Sequence, residues 1–540
     1  MDRSPDAITT PQTPRSGRSR QASPLIGRRG FARLAAGAGV GAFAMGSRGL
    51  ILPWIDFARA AASEDLVEPE VRSSSDGLLD TRLTCRVMAV PAAGKNPVMA
   101  TYEGSLPGPV LRIRPGDRLR INLTNLLDDI PPGLPPDSPF ICSTMSATGH
   151  MLGEGMNTCA TNLHLHGVHV SPEGNSDNIF LTVKGGESFQ YEYQIPENHP
   201  SGFHWYHPHQ HGTVTNQVFA GMAGPIIIEG DLDKLPGVAG LPERTLILQA
   251  TQLYPDGGSV KISAESITNV PGPPTDGPVR LKNYLRLVNG QLNPTMTIRP
   301  GETQRWRILN ASSNVTYRLQ LDGHQLHQIA KDGNTLGETW TRDAIVLAPG
   351  ERTEVLVQAG AAGTYAFRTL PISVGINTQQ DTVLATVIVD GTAMTPEPLP
   401  TTLLPLEDFS NDTIAQRRQI TFQFSPPIGP NQSIFWIDHR QFGGDRDDQV
   451  VQLGTTEEWT IRNASMSWHP FHIHINDYQV IAVNGQPVPV RYSEDTTGVP
   501  PFGEITMRTR FEDFPGRWVY HCHILLHEDN GMMGTVRALA

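Results

Sequence analysis

Val519-Tyr520-His521-Cys522-His523-Ile524-Leu525-Leu526-His527-Glu528-Asp529-Asn530-Gly531-Met532 is the stretch on which the rest of the chain is read. From His521 to Met532 it holds one thiol, three imidazoles and a thioether. Val519 and Tyr520, β-branched and aromatic, lead into it as a strand. Successive side chains on a strand face opposite ways, so Cys522 points to one face and His521 and His523 to the other. A Cys, two His and a weak axial Met make the ligand set of a blue-copper electron-transfer site. If the flanking histidines also hold metal, the backbone of Cys522 is a short covalent link between two metal centres.

The chain has 18 histidines, and the same chemistry is spread along it. Ten of them fall in four groups: His164/His166, His207/His209, His469/His472/His474 and His521/His523/His527. Each group contains a His-x-His pair, which on a strand places two imidazoles on one face about 6.5 Å apart. Four such pairs offer eight imidazoles. One zinc takes four ligands, so the supply points to a multinuclear cluster. His469 and His527 are left over and match the two imidazoles that Cys522 needs. His204, His211, His324 and His327 are expected to have packing or supporting roles.

At 540 residues the chain is too long for one core. It has 38% hydrophobic and 18% charged residues, with 52 Gly and 45 Pro, a turn-rich composition that points to many short strands. Arg112-Ile113-Arg114-Pro115-Gly116-Asp117 leads into the alternating run Arg118 to Leu123. A second version begins at Thr297 and leads into Gln304 to Asn310, and a third begins at Val451 and leads into Trp459 to Ala464. Each reads as a half-buried strand, and together they suggest three copies of one β-sandwich unit. Turn-rich residues 229–242 and the Pro-rich stretch 395–407 separate the copies. The expected units are 63–232, 233–395 and 396–540. Two long loops stand out, 128–161 and 254–279. The first carries Met145, Met151 and Met156, thioethers that would suit a soft metal, and is otherwise read as a surface loop. It also holds Cys142 and Cys159, the first choice for a disulfide, with Cys85 able to replace either.

Nine Arg and three Asp fall in the first 62 residues, and the remainder carries 33 basic and 51 acidic residues, a net charge of −18. No basic surface is on offer to a nucleic acid. Within those 62 residues, Arg28-Arg29 precedes the weakly apolar run 34–46, and small residues follow at 58–62. The segment resembles a twin-arginine export signal, with Gly27, Ala32 and Arg48 departing from the usual pattern. Export to the periplasm or the exterior is therefore expected. No run reaches the roughly 18 apolar residues of a membrane span, so stable membrane insertion is not expected.

HLHG at 164–167, WYHPHQHG at 205–212, HPFHIH at 469–474 and HCHILLHEDNGMM at 521–533, in that order and on a threefold repeat, resemble the multicopper oxidases. The likeness is strongest to the three-domain, laccase-like bacterial branch and covers nearly all of the chain after residue 62. It implies an all-β fold of three consecutive cupredoxin-like Greek-key sandwiches. It also implies four copper ions. Type 1 copper takes His469, Cys522 and His527 with Met532 axial, and type 2 takes His164 and His472. One type 3 copper takes His166, His207 and His523, and its partner takes His209, His474 and His521. The complete set argues against a copper-free scaffold, a simple electron carrier or a two-domain nitrite reductase.

The implied reaction is one-electron oxidation of phenols or aromatic amines coupled to reduction of dioxygen to water. Electrons are expected to enter at an exposed edge of His469 or His527 and to pass along Cys522 to His521 and His523. The alternative reductant is a metal ion, Cu(I), Fe(II) or Mn(II), although the third unit has no long Met-rich insertion. Dioxygen reduction consumes protons. By the same resemblance, Glu528 and Asp177, thirteen residues after His164, are the catalytic carboxylates.

Overall fold

The computed structural model describes residues 64–136, 138–143, 157–262, 284–375, 378–424, 435–489 and 492–540. The export-like segment, the three loop methionines and most of the 254–279 loop lie outside the described residues. The regular structure of the described chain is nearly all strand and forms three successive pairs of sheets, with one small two-stranded sheet besides. In the first pair a four-stranded sheet holds Arg118–Leu126 and a five-stranded sheet holds His164–His166. The second pair has six and five strands, and the third has seven and five.

The repeated phrase occupies the same place each time. Arg118–Leu126 runs parallel to Leu78–Ala89 and antiparallel to Ser188–Gln194. Thr303–Asn310 runs parallel to Glu243–Thr251 and antiparallel to Arg352–Gln358. Thr455–Asn463 runs parallel to Ile414–Phe424 and antiparallel to Glu504–Phe511. The turn before each strand sets the entry and the alternation sets the face, so similar sequence gives the same register-bearing strand. Three cupredoxin-like sandwiches follow, each around its own buried apolar cluster.

The second copy differs from the half-buried strand expected of it. Every residue of Thr303–Asn310 is buried. Its polar face is covered rather than solvated: Arg305 and Arg307 bond to Glu354 and to Asp233 of the segment joining the first two units. Two buried guanidiniums can sit there because three carboxylates, Asp233, Glu243 and Glu354, meet them.

The units share cores. Phe203 and Trp205 of the first pack with Ile247 and Leu309 of the second. Val214 and Val218 of the first pack with Leu525 of the third. Cys142 and Cys159 form the disulfide, leaving Cys85 and Cys522 as buried free thiols. Among the described residues no helix is long and apolar enough to cross a membrane.

Candidate metal centre

Two strand pairs bring the histidine motifs together. His164–His166 lies antiparallel to Gly202–His207, with His164 opposite His207. In the third unit His469–Ile473 lies antiparallel to Gly516–Cys522, with Phe471 opposite Cys522 and His472 opposite His521. The two pairs then meet face to face. His164 stacks on His474 and His166 on His472, each pair with ring centroids 3.8 Å apart and planes 9° from parallel. A His-x-His pair from the first unit therefore lies ring against ring on one from the third.

On the opposite face of Cys522 lies a three-membered set. His469 Nδ1 is 3.3 Å from Cys522 Sγ, His527 Nδ1 is 3.5 Å from it, and the two nitrogens are 3.1 Å apart. All three residues are buried. Met532 is buried in the same core as Cys522, and its carbonyl accepts a bond from the Cys522 N–H. Burial holds His469 down at about 3 and pushes the Cys522 thiol up. Two imidazole nitrogens and a thiol sulfur converging on one point form a donor set that fits a soft or borderline metal.

The other eight histidines of the four motifs are also buried. His166, His207 and His523 form one compact triad, and His209, His474 and His521 another. His164 and His472 group with His166. In the second triad His521 Nε2 lies 3.2 Å from His209 Nε2 and 3.3 Å from His474 Nε2. Edges of that length are what two nitrogens on one metal at roughly 2.0 Å would span. His164 Nε2, His166 Nδ1, His207 Nε2, His472 Nε2 and both nitrogens of His523 are buried with no hydrogen-bond partner. Buried polar atoms are normally paired. Burial lowers the titration of His164, His166, His207 and His523, and that of His209 to about 3, which keeps them in the neutral form that binds metal.

Carboxylates lie against the cluster. Asp177 Oδ2 accepts from His164 Nδ1 at 2.9 Å and Oδ1 accepts from the Leu165 N–H. Burial pushes Asp177 up to about 8 against that N–H bond. Glu528 Oε2 lies 3.1 Å from His521 Nδ1 and Oε1 3.5 Å from His209 Nε2. Burial, with the charge of Asp529 beside it, raises Glu528 well above the usual carboxylate range. Asp529 accepts from the N–H groups of Gly212, Val214 and Thr215, fastening the third unit to the turn after His209.

Three residues escaped the sequence reading. Asp495 bonds to His166 and His472, and Arg352 of the second unit holds Asp495. Ser465 Oγ lies 2.7 Å from His469 Nε2. None has a motif around it; only Ser465, four residues before His469, was close enough to suspect.

The expected exposed edge at the mononuclear set is not there. His469 is 1% exposed and His527 6%. Ser465 caps the first, and the second stacks on Phe435 with centroids 4.1 Å apart. Of the remaining histidines, His204 is buried and His211 half-buried beside Phe442. His324 bonds to the backbone at Gly360 and His327 to Thr341. Among the described residues none of these four joins a metal-binding group.

Three sequence families, each described as multicopper oxidase, match residues 156–233, 204–392 and 413–539. The chain belongs to the multicopper oxidase family, and it is an oxidoreductase of that family, using copper, dioxygen and a reducing substrate. It is 26% identical over 449 residues to multicopper oxidase mco of Staphylococcus haemolyticus, spanning 81% of this chain and 83% of that one. It is 28% identical to a laccase of Bacillus stratosphericus over 80% of this chain and 89% of that one. Among solved structures it is similar to a laccase from Pediococcus acidilactici, with TM-score 0.71, 24% identity and coverage of 88% and 94%. A multicopper oxidase from Campylobacter jejuni, described as a metallo-oxidase, matches with TM-score 0.68, 24% identity and coverage of 88% and 98%.

Proposed function

We propose that this enzyme is laccase-like, oxidising phenols or aromatic amines one electron at a time and reducing dioxygen to water with four electrons. The observation that carries the reading is the position of Cys522. Its sulfur faces His469 and His527 while its chain neighbours His521 and His523 belong to the two histidine triads. Under this reading His469, Cys522, His527 and Met532 hold type 1 copper, and His164 with His472 hold type 2. His166, His207 and His523 hold one type 3 copper, and His209, His474 and His521 hold the other. When bound, the four ions supply one-electron redox chemistry and a site for dioxygen. The chain keeps the two regions apart yet only one residue distant along the backbone. Asp177 and Glu528 hold protons at His164 and His521, where the reduction of dioxygen consumes them.

The surroundings of His469 support an organic donor. The group on its outer nitrogen is the hydroxyl of Ser465, not a carboxylate that would anchor a cation. Phe502, 72% exposed, bonds through its N–H to the Ser465 carbonyl, and the neighbouring Met466 is 47% exposed. The second reading, a metallo-oxidase acting on Cu(I), Fe(II) or Mn(II), is favoured by the similarity to the Campylobacter protein. Comparing kcat/KM for a dimethoxyphenol, Cu(I) and Mn(II) on copper-loaded protein separates the two. The phenol is expected to dominate; dominance of a metal ion would replace the first reading with the second.

The protein is exported, by the twin-arginine route, to the periplasm or beyond. The Cys142–Cys159 disulfide supports an oxidising destination. Replacing Arg28 and Arg29 by Lys should leave unprocessed protein in the cytoplasm, and normal export of that variant would exclude the route.

A further inference from the structure

The second unit supplies none of the residues proposed as ligands, yet its turn at 349–352 lies against them. Gly350 has φ +89°, and a Cβ there would come within 2.9 Å of the His523 ring. Two residues on, the fully buried Arg352 sends Nη1 and Nη2 to the two oxygens of Asp495 at 2.7 and 2.6 Å. Its Nε donates to the Phe203 carbonyl, so it also touches the first unit. Gly167, immediately after His166, leaves room for this pair. Its φ is +82°, and a Cβ would lie 2.2 Å from Arg352 Nη2 and 2.5 Å from Asp495 Oδ2.

Asp495 then reaches two histidines in opposite senses. Its Oδ1 accepts from His166 Nε2 at 3.1 Å, and its backbone carbonyl accepts from His472 Nδ1 at 2.8 Å. One ring is thereby left with Nδ1 free and the other with Nε2 free, both buried without a partner. Burial would push the Asp495 carboxyl up, but the Arg352 and His166 contacts outweigh it and hold it well below the usual carboxylate range. Thr496 Oγ1 donates to the same Oδ1 and fixes the carboxylate from its other side.

We infer that Arg352 and Asp495 are positioning residues of the trinuclear site, through which the second unit fixes which nitrogen of His166 and of His472 faces the metal. The inference rests on the copper reading of those histidines. A planar fork is needed because two parallel N–H bonds set the carboxylate plane that orients His166, and hold in place the residue whose backbone carbonyl orients His472. A lysine carries the charge but defines no plane.

The test is copper titration of apo-protein, wild type against Arg352→Lys and Asp495→Asn, following type 1 absorbance and the type 2 electron paramagnetic resonance spectrum together. Type 1 copper is held within the third unit and reports that the chain is folded. Both variants are expected to keep type 1 absorbance, to bind type 2 copper roughly 10–100-fold more weakly and to show an altered type 2 hyperfine splitting. An unchanged type 2 affinity and spectrum in a variant that keeps type 1 absorbance would overturn the inference. Parallel loss of type 1 and type 2 signals in both variants would also overturn it, since it would reduce the pair to a general fold contact. Wild type that takes up no copper would instead sink the reading of the site itself.

Discussion

Single residues tune this site through what touches them. Met532 is buried in the same core as Cys522. Met532→Leu nearly conserves volume, costs under about 1.5 kcal/mol of stability, and removes the soft axial donor. The type 1 reduction potential should rise, measurable by redox titration; an unchanged potential would mean that Met532 does not ligate. Asp177 and Glu528 allow a sharper test, because each lies against a histidine proposed as a ligand as well as being proposed to move protons. Asp177→Asn and Glu528→Gln should retain copper and lose turnover by roughly 10²- to 10⁴-fold. If turnover is normal in fully loaded variants, neither carboxylate delivers protons. If copper is lost as well, orientation of His164 or His521 is their main task.

At the scale of elements, short pieces of structure join the strands that carry the histidine motifs. The helix Val214–Phe219 follows the His207/His209 motif directly and has no capping side chain of its own. Its first N–H groups are instead satisfied by Asp529, which comes from the helix Leu525–Asp529 that carries His527. One carboxylate thus closes the first unit onto the third, and Val218 packs on Leu525 beside it. Asp529→Ala should cost about 2–3 kcal/mol, since a charged acceptor serving three buried N–H groups is lost. The measurement is chemical denaturation, together with faster hydrogen exchange at Gly212 to Thr215. An unchanged exchange rate would show that this contact is dispensable.

The whole molecule is held by a covalent cross-link as well as by its cores, and in the proposed arrangement by metal too. The disulfide joins residues 17 apart, and a loop of that size contributes about 3 kcal/mol by restricting the unfolded chain. Reduction should lower the calorimetric unfolding temperature while type 1 absorbance at room temperature persists, because Cys142 lies in a different unit from Cys522. Copper binds between the first and third units in the proposed arrangement, so its removal should also lower the unfolding temperature. Metal held at a thousandfold excess over Kd contributes about 4 kcal/mol. Equal melting of apo- and copper-loaded protein would place the copper elsewhere.

Much of this was legible in the sequence because it depends on local spacing. A strand repeats every two residues, so His521-Cys522-His523 alone says that the sulfur and its neighbours serve opposite faces. The three turn-plus-strand phrases likewise announce three similar sandwiches. Only the tertiary structure decided what lies across units. It placed His164 on His474 and His166 on His472, covered Thr303–Asn310 on its polar face, and buried the edges of His469 and His527. It also brought Arg352 to Asp495, 143 residues apart in the chain. The reason is physical: a ligand motif is written in consecutive residues, whereas an ion pair that orients a ligand needs only opposite charges at the end of a fold, and nothing in either neighbourhood marks which two will meet.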